Sequence, residues 1–171
     1  MFLFSQSISP TSAIPFAKVE LQERARDQRI TAPFFSGQTT SGFPISVTAE
    51  TAKPDQDNPR LTHADELKAN ITLADDNVID LDAKSAQINS LSFEVLLRGD
   101  VQLNSTNGYA FTTEALALNL NQGSARSDTK VTGTGPAGTF TAGAMELTYP
   151  EDGEKSRFLF TNGVKLIYKP Q

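Results

Sequence analysis

Three sets of side chains carry enough chemistry to suggest a reaction, and each falls short on spacing. His63 is the one histidine of the chain. A triad or a histidine-rich metal site needs more than it supplies, so it reads as a plain loop residue. Asp75, Asp76, Asp80 and Asp82 could offer oxygen ligands to calcium. They lack the spacing of an EF-hand loop, and acidic residues beside a turn are ordinarily solvated. Glu50, Glu114 and Glu146 recur at equivalent places and could supply a glycosidase pair. Their apolar neighbours point elsewhere, which favours a solvated outer face. Asn70-Ile71-Thr72 and Asn104-Ser105-Thr106 match the glycosylation sequon, a pattern that also arises by chance. The absence of cysteine removes disulfides, thiolate catalysis and cysteine-based zinc sites. The reading is therefore of a protein that is not an enzyme and has neither metal nor cofactor. Its informative residues are apolar.

Those apolar residues repeat. Phe111-Thr112-Thr113-Glu114-Ala115-Leu116-Ala117-Leu118 and Phe140-Thr141-Ala142-Gly143-Ala144-Met145-Glu146-Leu147 share one pattern: a large apolar residue, Thr, small residues, then apolar residues in alternation. Leu81 to Ile88 fits with Asp82 in the Thr place, and Val47 to Ala52 fits more weakly. The units lie roughly thirty residues apart, the mark of one supersecondary unit used several times. Within each unit the period is two, so the units are strands. Phe111, Thr113 and Ala115 share one face, while Leu116, Leu118 and Leu120 fall on the other. An apolar set changes face mid-strand only where the strand bends or gains a residue. Each strand is thus expected to bend midway and serve two facing sheets.

The chain has 171 residues, enough for one domain with its own core, and a net charge of −5. That charge argues against nucleic acid as a partner. No apolar run is long enough to span a bilayer. Residues 1–28 are rich in Ser, Pro and charge and read as a tether. From Ile30 onward the pattern is strand and turn. Ser36-Gly37 and Ser41-Gly42 read as turns, Ile45, Val47 and Ala49 as a strand, and residues 53–60 as a loop. Leu67 to Leu73 and Ile79 to Ala83 are the next strands, turning at Asp75-Asp76-Asn77, and Asn89-Ser90 marks the opposite turn. Asn107-Gly108 is the strongest hairpin signal. Asn121-Gln122-Gly123, residues 135–138 and Asp152-Gly153 mark further turns. At the end, the even steps from Phe160 to Val164 fit a three-residue loop or a kinked continuous strand. The same four-residue step across Gly99, from Leu97 to Val101, favours the kinked strand. The expected fold is all-β: an open, twisted antiparallel jellyroll of two facing sheets built from bent, repeated strands.

In order and spacing, several of these segments resemble the LptC-like component of bacterial lipopolysaccharide export. They are Arg98-Gly99-Asp100-Val101-Gln102-Leu103, Phe111-Thr112-Thr113-Glu114-Ala115, Asn121-Gln122-Gly123, Val131-Thr132-Gly133, the opening strands from Ala32 to Ala52, and the ending Asn162-Gly163-Val164-Lys165-Leu166-Ile167-Tyr168. The resemblance covers residues 29–171, the expected jellyroll domain. It implies a periplasmic protein anchored to the inner membrane by an N-terminal helix. This chain does not contain that helix, and Met1-Phe2-Leu3-Phe4 would be its last turn.

The space between the sheets would be lined by Phe93, Val95, Leu97, Val101, Leu103 and Phe111, and further on by Leu118, Phe140, Leu147, Phe158 and Phe160. From the residues alone these fill a dry sandwich core. The resemblance implies instead a trough for lipid acyl chains, and lipopolysaccharide as the ligand. It also implies two protein partners: an inner-membrane ATP-driven transporter that supplies the lipid, and a soluble periplasmic bridge protein that receives it. The terminal strand, with Val164, Leu166 and Tyr168 on one face, is the expected joint to that bridge. A soluble bridge component, a β-repeat carbohydrate enzyme and a purely structural β-repeat protein are the alternatives.

Overall fold

The computed structural model describes residues 29–39, 42–73, 76–148 and 157–168. The expected tether at 1–28, the Asp152-Gly153 turn and Lys169 lie outside them. The strands in order are β1 (Ile30–Thr31), β2 (Phe34–Gln38), β3 (Pro44–Thr48), β4 (Thr51–Pro54), β5 (Leu61–Thr72), β6 (Val78–Asn89) and β7 (Glu94–Ser105). They continue as β8 (Ala110–Asn119), β9 (Ser124–Ser127), β10 (Val131–Gly135), β11 (Gly138–Ala142), β12 (Ala144–Thr148), β13 (Arg157–Thr161) and β14 (Lys165–Tyr168). All pair antiparallel in one sheet that does not close into a barrel.

The pairing shows how this one sheet becomes two leaves. β5 to β8 are long and pair along their whole length. On either side of them each pass across the sheet is broken at its middle. β4 pairs with the first half of β5 and β3 with its second half. β9 pairs with the last residues of β8 and β10 with its first residues. Beyond these, β12 and β13 continue from β9, while β11 and β14 continue from β10. The first leaf is β1, β4, residues 61–65, 85–89, 94–98 and 115–119 of the long strands, then β9, β12 and β13. The second is β2, β3, residues 67–72, 78–83, 101–105 and 110–113, then β10, β11 and β14. β13 and β14 lie in different leaves, so the chain ends in one kinked strand, not in a hairpin.

The leaves pack inner face to inner face. Ala64, Ala86, Leu97, Leu116, Ala125 and Met145 of the first leaf share one core with Leu67, Leu81, Ala83, Val101 and Val131 of the second. Along β5, β6 and β8 the inward set shifts by three residues at the fold, from Ala64 to Leu67, Ala83 to Ala86, and Thr113 to Leu116. An odd step places both residues inward only if the chain turns over between them. Backbone at positive φ does this in β5 at Glu66, +49°. β7 takes the other route. Between the pairs Ser85↔Arg98 and Asp82↔Gln102 it carries one residue more than β6, a bulge at Gly99 and Asp100. Leu97 and Val101 therefore both face inward across an even step.

Where β9 gives way to β10 the ladder is interrupted, and hydroxyls replace it. Thr113 Oγ1 lies 2.8 Å from both Ser127 Oγ and Thr129 Oγ1, and Ser127 is buried. At the free end of the second leaf, Asn77 Oδ1 accepts from the hydroxyls of Ser105 and Thr106, each at 2.8 Å, tying two turns together. The Asn107-Gly108 turn forms as expected: Gly108 has φ +90°, and Ser105 N–H donates to the Tyr109 carbonyl at 2.8 Å.

Four local expectations need correction. Residues 53–60 are not all loop, because Lys53 and Pro54 close β4. Ser36-Gly37 is not a turn but the middle of β2, where Gly37 pairs with Ile45. His63 is not on a loop but on β5, opposite Lys53. Phe93 does not extend the β7 row as strand; it closes the turn before it at φ +55°.

At Gly138, β14 lies close against β11. The glycine has φ +135°, and a Cβ built on it would stand 2.1 Å from the Ile167 carbonyl oxygen. Gly138→Ala is expected to cost ~2–4 kcal/mol of stability, from backbone strain together with displacement of β14. Gly42→Ala, with nothing within 4 Å of the added carbon, is expected to cost ~1 kcal/mol for its left-handed backbone alone. Urea midpoints measure both, and equal losses would contradict the close approach.

Candidate functional site

Aromatic rings gather between the leaves toward the C-terminal edge. Phe111 on β8 and Phe140 on β11 project from the second leaf. Phe158 and Phe160 on β13 project from the first. Antiparallel partners share a face, so the register places them together: Phe111 pairs with Gly133, Gly133 with Phe140, and Leu147 with Phe158. Across the leaves, Phe140 and Phe160 have ring centroids 4.6 Å apart, and Phe111 stacks on Phe158 at 5.9 Å and on Phe160 at 6.5 Å. Within one leaf, Phe111 meets Phe140 edge-on at 5.6 Å. These are the separations at which ring pairs attract beyond simple burial.

β10 makes room for this cluster by withholding side chains. Its inner positions after Val131 are Gly133 and Gly135. A Cβ on Gly133 would come within 2.3 Å of the Phe140 ring and 3.0 Å of Phe111. A Cβ on Gly135 would come within 2.9 Å of Tyr109. Tyr109 in turn stacks on Phe111, with centroids 6.5 Å apart. Tyr109 belongs to the same inner row and is missing from the expected trough. Its even step from Phe111 was the available signal, and so was the small–Thr alternation of Val131-Thr132-Gly133-Thr134-Gly135.

The remaining expected trough residues divide by depth. Leu97 and Val101 are 0% and 2% exposed. They form the dry floor beside Leu116 and Val131, out of reach of any ligand while the leaves are packed. Val95, Leu103, Leu118 and Leu147 are half-buried and pack on that floor, as do Phe140 and Phe160. Phe158 is 47% exposed, and Phe93 stands at the free end of the first leaf. On the last strand, Leu166 pairs with Phe140 and Tyr168 with Gly138, so both extend the inner face, with Val164 before them. All three are exposed. The opposite edge, which the sequence reading left out, is alike: Phe35 pairs with Val47 and Ile30 with Ala52, both inward and both exposed.

Among the described residues, the charged groups stay on the outside of the fold. His63 Nε2 lies 2.8 Å from Asp55 Oδ2, a staple between β5 and the loop before it. The His63 hydrogen bond, with Asn58 and Asp57 N–H donors, holds the Asp55 carboxyl below its ordinary range. On the spine of the fold, Lys84 is held above its ordinary range by its hydrogen bond to Asp100 and that carboxylate's charge, with Glu114 and Glu66 adding to it. Glu50, Glu114 and Glu146 are all exposed.

A two-leaved meander with an apolar interior and open edges is a shape shared by several kinds of protein, so sequence comparison decides among them. Residues 57–155, more than half of the chain, match the model of the family described as lipopolysaccharide-assembly, LptC-related. The protein belongs to the LptC-related family. No individual curated protein matches it. As an LptC-related protein it has a role in lipopolysaccharide transport. Its family is a transport component of the envelope that faces the periplasm. Among the described residues, no helix is long and apolar enough to cross a membrane. The matched span takes in the long strands, the glycine-bearing β10 and Phe140.

If β10 is the seat of the aromatic cluster, Gly133→Ala should push Phe140 and Phe111 out of place. A loss of ~1–3 kcal/mol is expected from overpacking, together with a change in the near-ultraviolet circular dichroism of the rings. Unchanged stability and an unchanged spectrum would mean that the rings do not rest on that glycine.

Proposed function

We propose that the half-buried wall between the leaves is a trough for lipopolysaccharide acyl chains, and that the lipid moves along it parallel to the fold line while its charged sugars stay in water. The observation that carries this reading is the continuity of the inner apolar face. It runs from exposed Ile30 and Phe35 at one edge, through Leu103, Phe111 and Phe140, to exposed Leu166 and Tyr168 at the other. An ordinary sandwich core buries its apolar face to the last strand. This one leaves it open at both edges, as a path needs. Contacts along it are apolar and without direction, which suits a ligand that must move on.

On this reading the lipid arrives from an inner-membrane ATP-driven transporter and leaves to a soluble periplasmic bridge protein. β14 is the joint to the latter. Among the described strands it pairs with β11 alone, which leaves the N–H and C=O groups of its other side open to a partner. A strand from the next protein would satisfy them and extend the second leaf without interrupting the inner face.

Two measurements test the reading. A photo-crosslinking residue at Leu103, Phe111 or Phe140 should capture lipopolysaccharide in cells, while one at exposed Lys130 should not. Equal capture at both sets would rule out the trough. For the joint, Leu166→Pro and Ile167→Pro are compared. Neighbouring N–H groups in a strand point alternately to its two sides, so one proline strikes the pairing with β11 and the other strikes only the free side. The variant struck on the free side should stay folded and still take lipid, but lose co-purification with the bridge protein at least tenfold. Undiminished co-purification by that folded variant would place the joint elsewhere.

A further inference from the structure

We propose that Phe111, Phe140, Phe158 and Phe160 form a gate across the trough, which an acyl chain must part to reach the C-terminal edge. The inference rests on the trough reading above and adds a barrier within it. The aliphatic floor beside the fold line joins the leaves along their core. At these four residues rings also meet further out, on the wall where a chain would run. Phe140 and Phe160 touch across the gap at 4.6 Å, and Phe158 lies over Phe111 at 5.9 Å. A chain passing from Leu103 on β7 toward Leu166 on β14 has to cross β8, β10 and β11, beneath these rings.

Two features make the first-leaf half of the gate the part that moves. Among the described strands, β13 is paired on one side only, to β12. Its link to β14 is a pivot. Asn162 and Gly163 both have left-handed backbone, at φ +60° and +82°. The Gly143 N–H is shared between the carbonyls of Thr161 and Asn162, each at 3.0 Å. Gly143 lets the pivot seat closely, since a Cβ there would stand 2.4 Å from the Asn162 carbonyl oxygen. β13 stays paired to β12 along its length, so small rotations at this point twist the β13 edge and swing the Phe158 and Phe160 rings away from the second leaf without parting the two strands. The second-leaf half is held by β10, where Gly133 receives Phe140. Opening exchanges ring–ring contact for contact between rings and methylene groups. The exchange is apolar on both sides, so the gate opens to a saturated chain and stays shut to water and to polar solutes.

The chain has no cysteine, so the leaves can be bridged selectively. In the double variant Phe111→Cys with Phe158→Cys, a short bifunctional thiol reagent should hold the gate closed. Photo-crosslinkers at Leu103, before the gate, and at Leu166, beyond it, then report passage of lipopolysaccharide. The expected result is capture at Leu103 with or without the bridge, and capture at Leu166 that falls at least fivefold when the bridge forms. Undiminished capture at Leu166 across a formed bridge would overturn the gate and leave the trough standing. Capture at neither position, bridged or free, would overturn both. The single variant Phe158→Ala, at a half-exposed edge position, keeps the test decisive if the double variant folds poorly. It should raise the ratio of capture at Leu166 to capture at Leu103 several-fold, and an unchanged or lowered ratio counts against the gate.

Discussion

Everything in this fold depends on turning each strand over at its middle. A flat antiparallel meander has one buried face, and it buries that face either by packing on something else or by folding onto itself. Folding brings one half of each strand against the other, and both halves must then present apolar residues inward. With a period of two, that requires a break in phase. At the fold line the backbone leaves the ordinary strand region at Ala32, Glu66, Gly99 with Asp100, and Asn162 with Gly163, while β6 and β8 shift phase between Ala83 and Ala86 and between Thr113 and Leu116 without doing so. Non-glycine residues rarely adopt positive φ, and it costs free energy where they do. The shared core of both leaves offsets that cost. The charged residues on the spine follow from the same geometry, because a residue at the crest of the fold points away from both leaves.

The fold line also sets a gradient of burial. Nearest to it the leaves are in full contact, and Leu97, Val101, Leu116 and Val131 are sealed. Two residues further out the walls are half-buried, and the rings of β8, β11 and β13 fill the widening space. This explains why aromatic residues occur on the wall and glycine on β10. Large rings span a gap that leucine cannot, and a strand lying under rings has no room for its own side chains.

The phase reversals were legible in the sequence because strand periodicity records which face a residue takes. Phe111 with Thr113 against Leu116 with Leu118, and the even step from Leu97 to Val101, are both present in the structure for that reason. So is the kinked final strand. The family likeness, too, could be read from the order of these segments. Depth could not be read. Leu97 and Leu103 share a face and differ only in distance from the fold, and no local pattern encodes that distance. Turn preference misled at Ser36-Gly37, because glycine and serine favour a turn only until a partner strand claims them, and β3 does so in register. Phe93 continued the parity of β7, but Asn89 Oδ1 accepts from the N–H groups of Leu91 and Ser92 at 2.9 and 3.2 Å and fixes a turn that ends on it. His63 was misplaced because β5 begins six residues earlier than its clearest alternation, from Leu67 onward, suggests.

A carrier of lipid chains must not hold them too well. Burying one methylene is worth about 0.8 kcal/mol, so a chain of about a dozen methylenes sealed in a core would gain ~10 kcal/mol. That corresponds to a Kd of roughly 50 nM for a single chain, and several chains on one lipid would make release negligible. A trough as dry as the Leu97–Val131 floor would therefore be a trap. The wall residues are half-buried, so a chain lying on them keeps part of its surface toward the open mouth and gains only a fraction of that energy. Moving one step along the trough then exchanges one partial contact for another of the same kind, with little to climb. On this reading the floor supplies the stability, the wall supplies the grip, and the two roles are separated by position along each strand. That separation is what turning the strands over at one line makes possible.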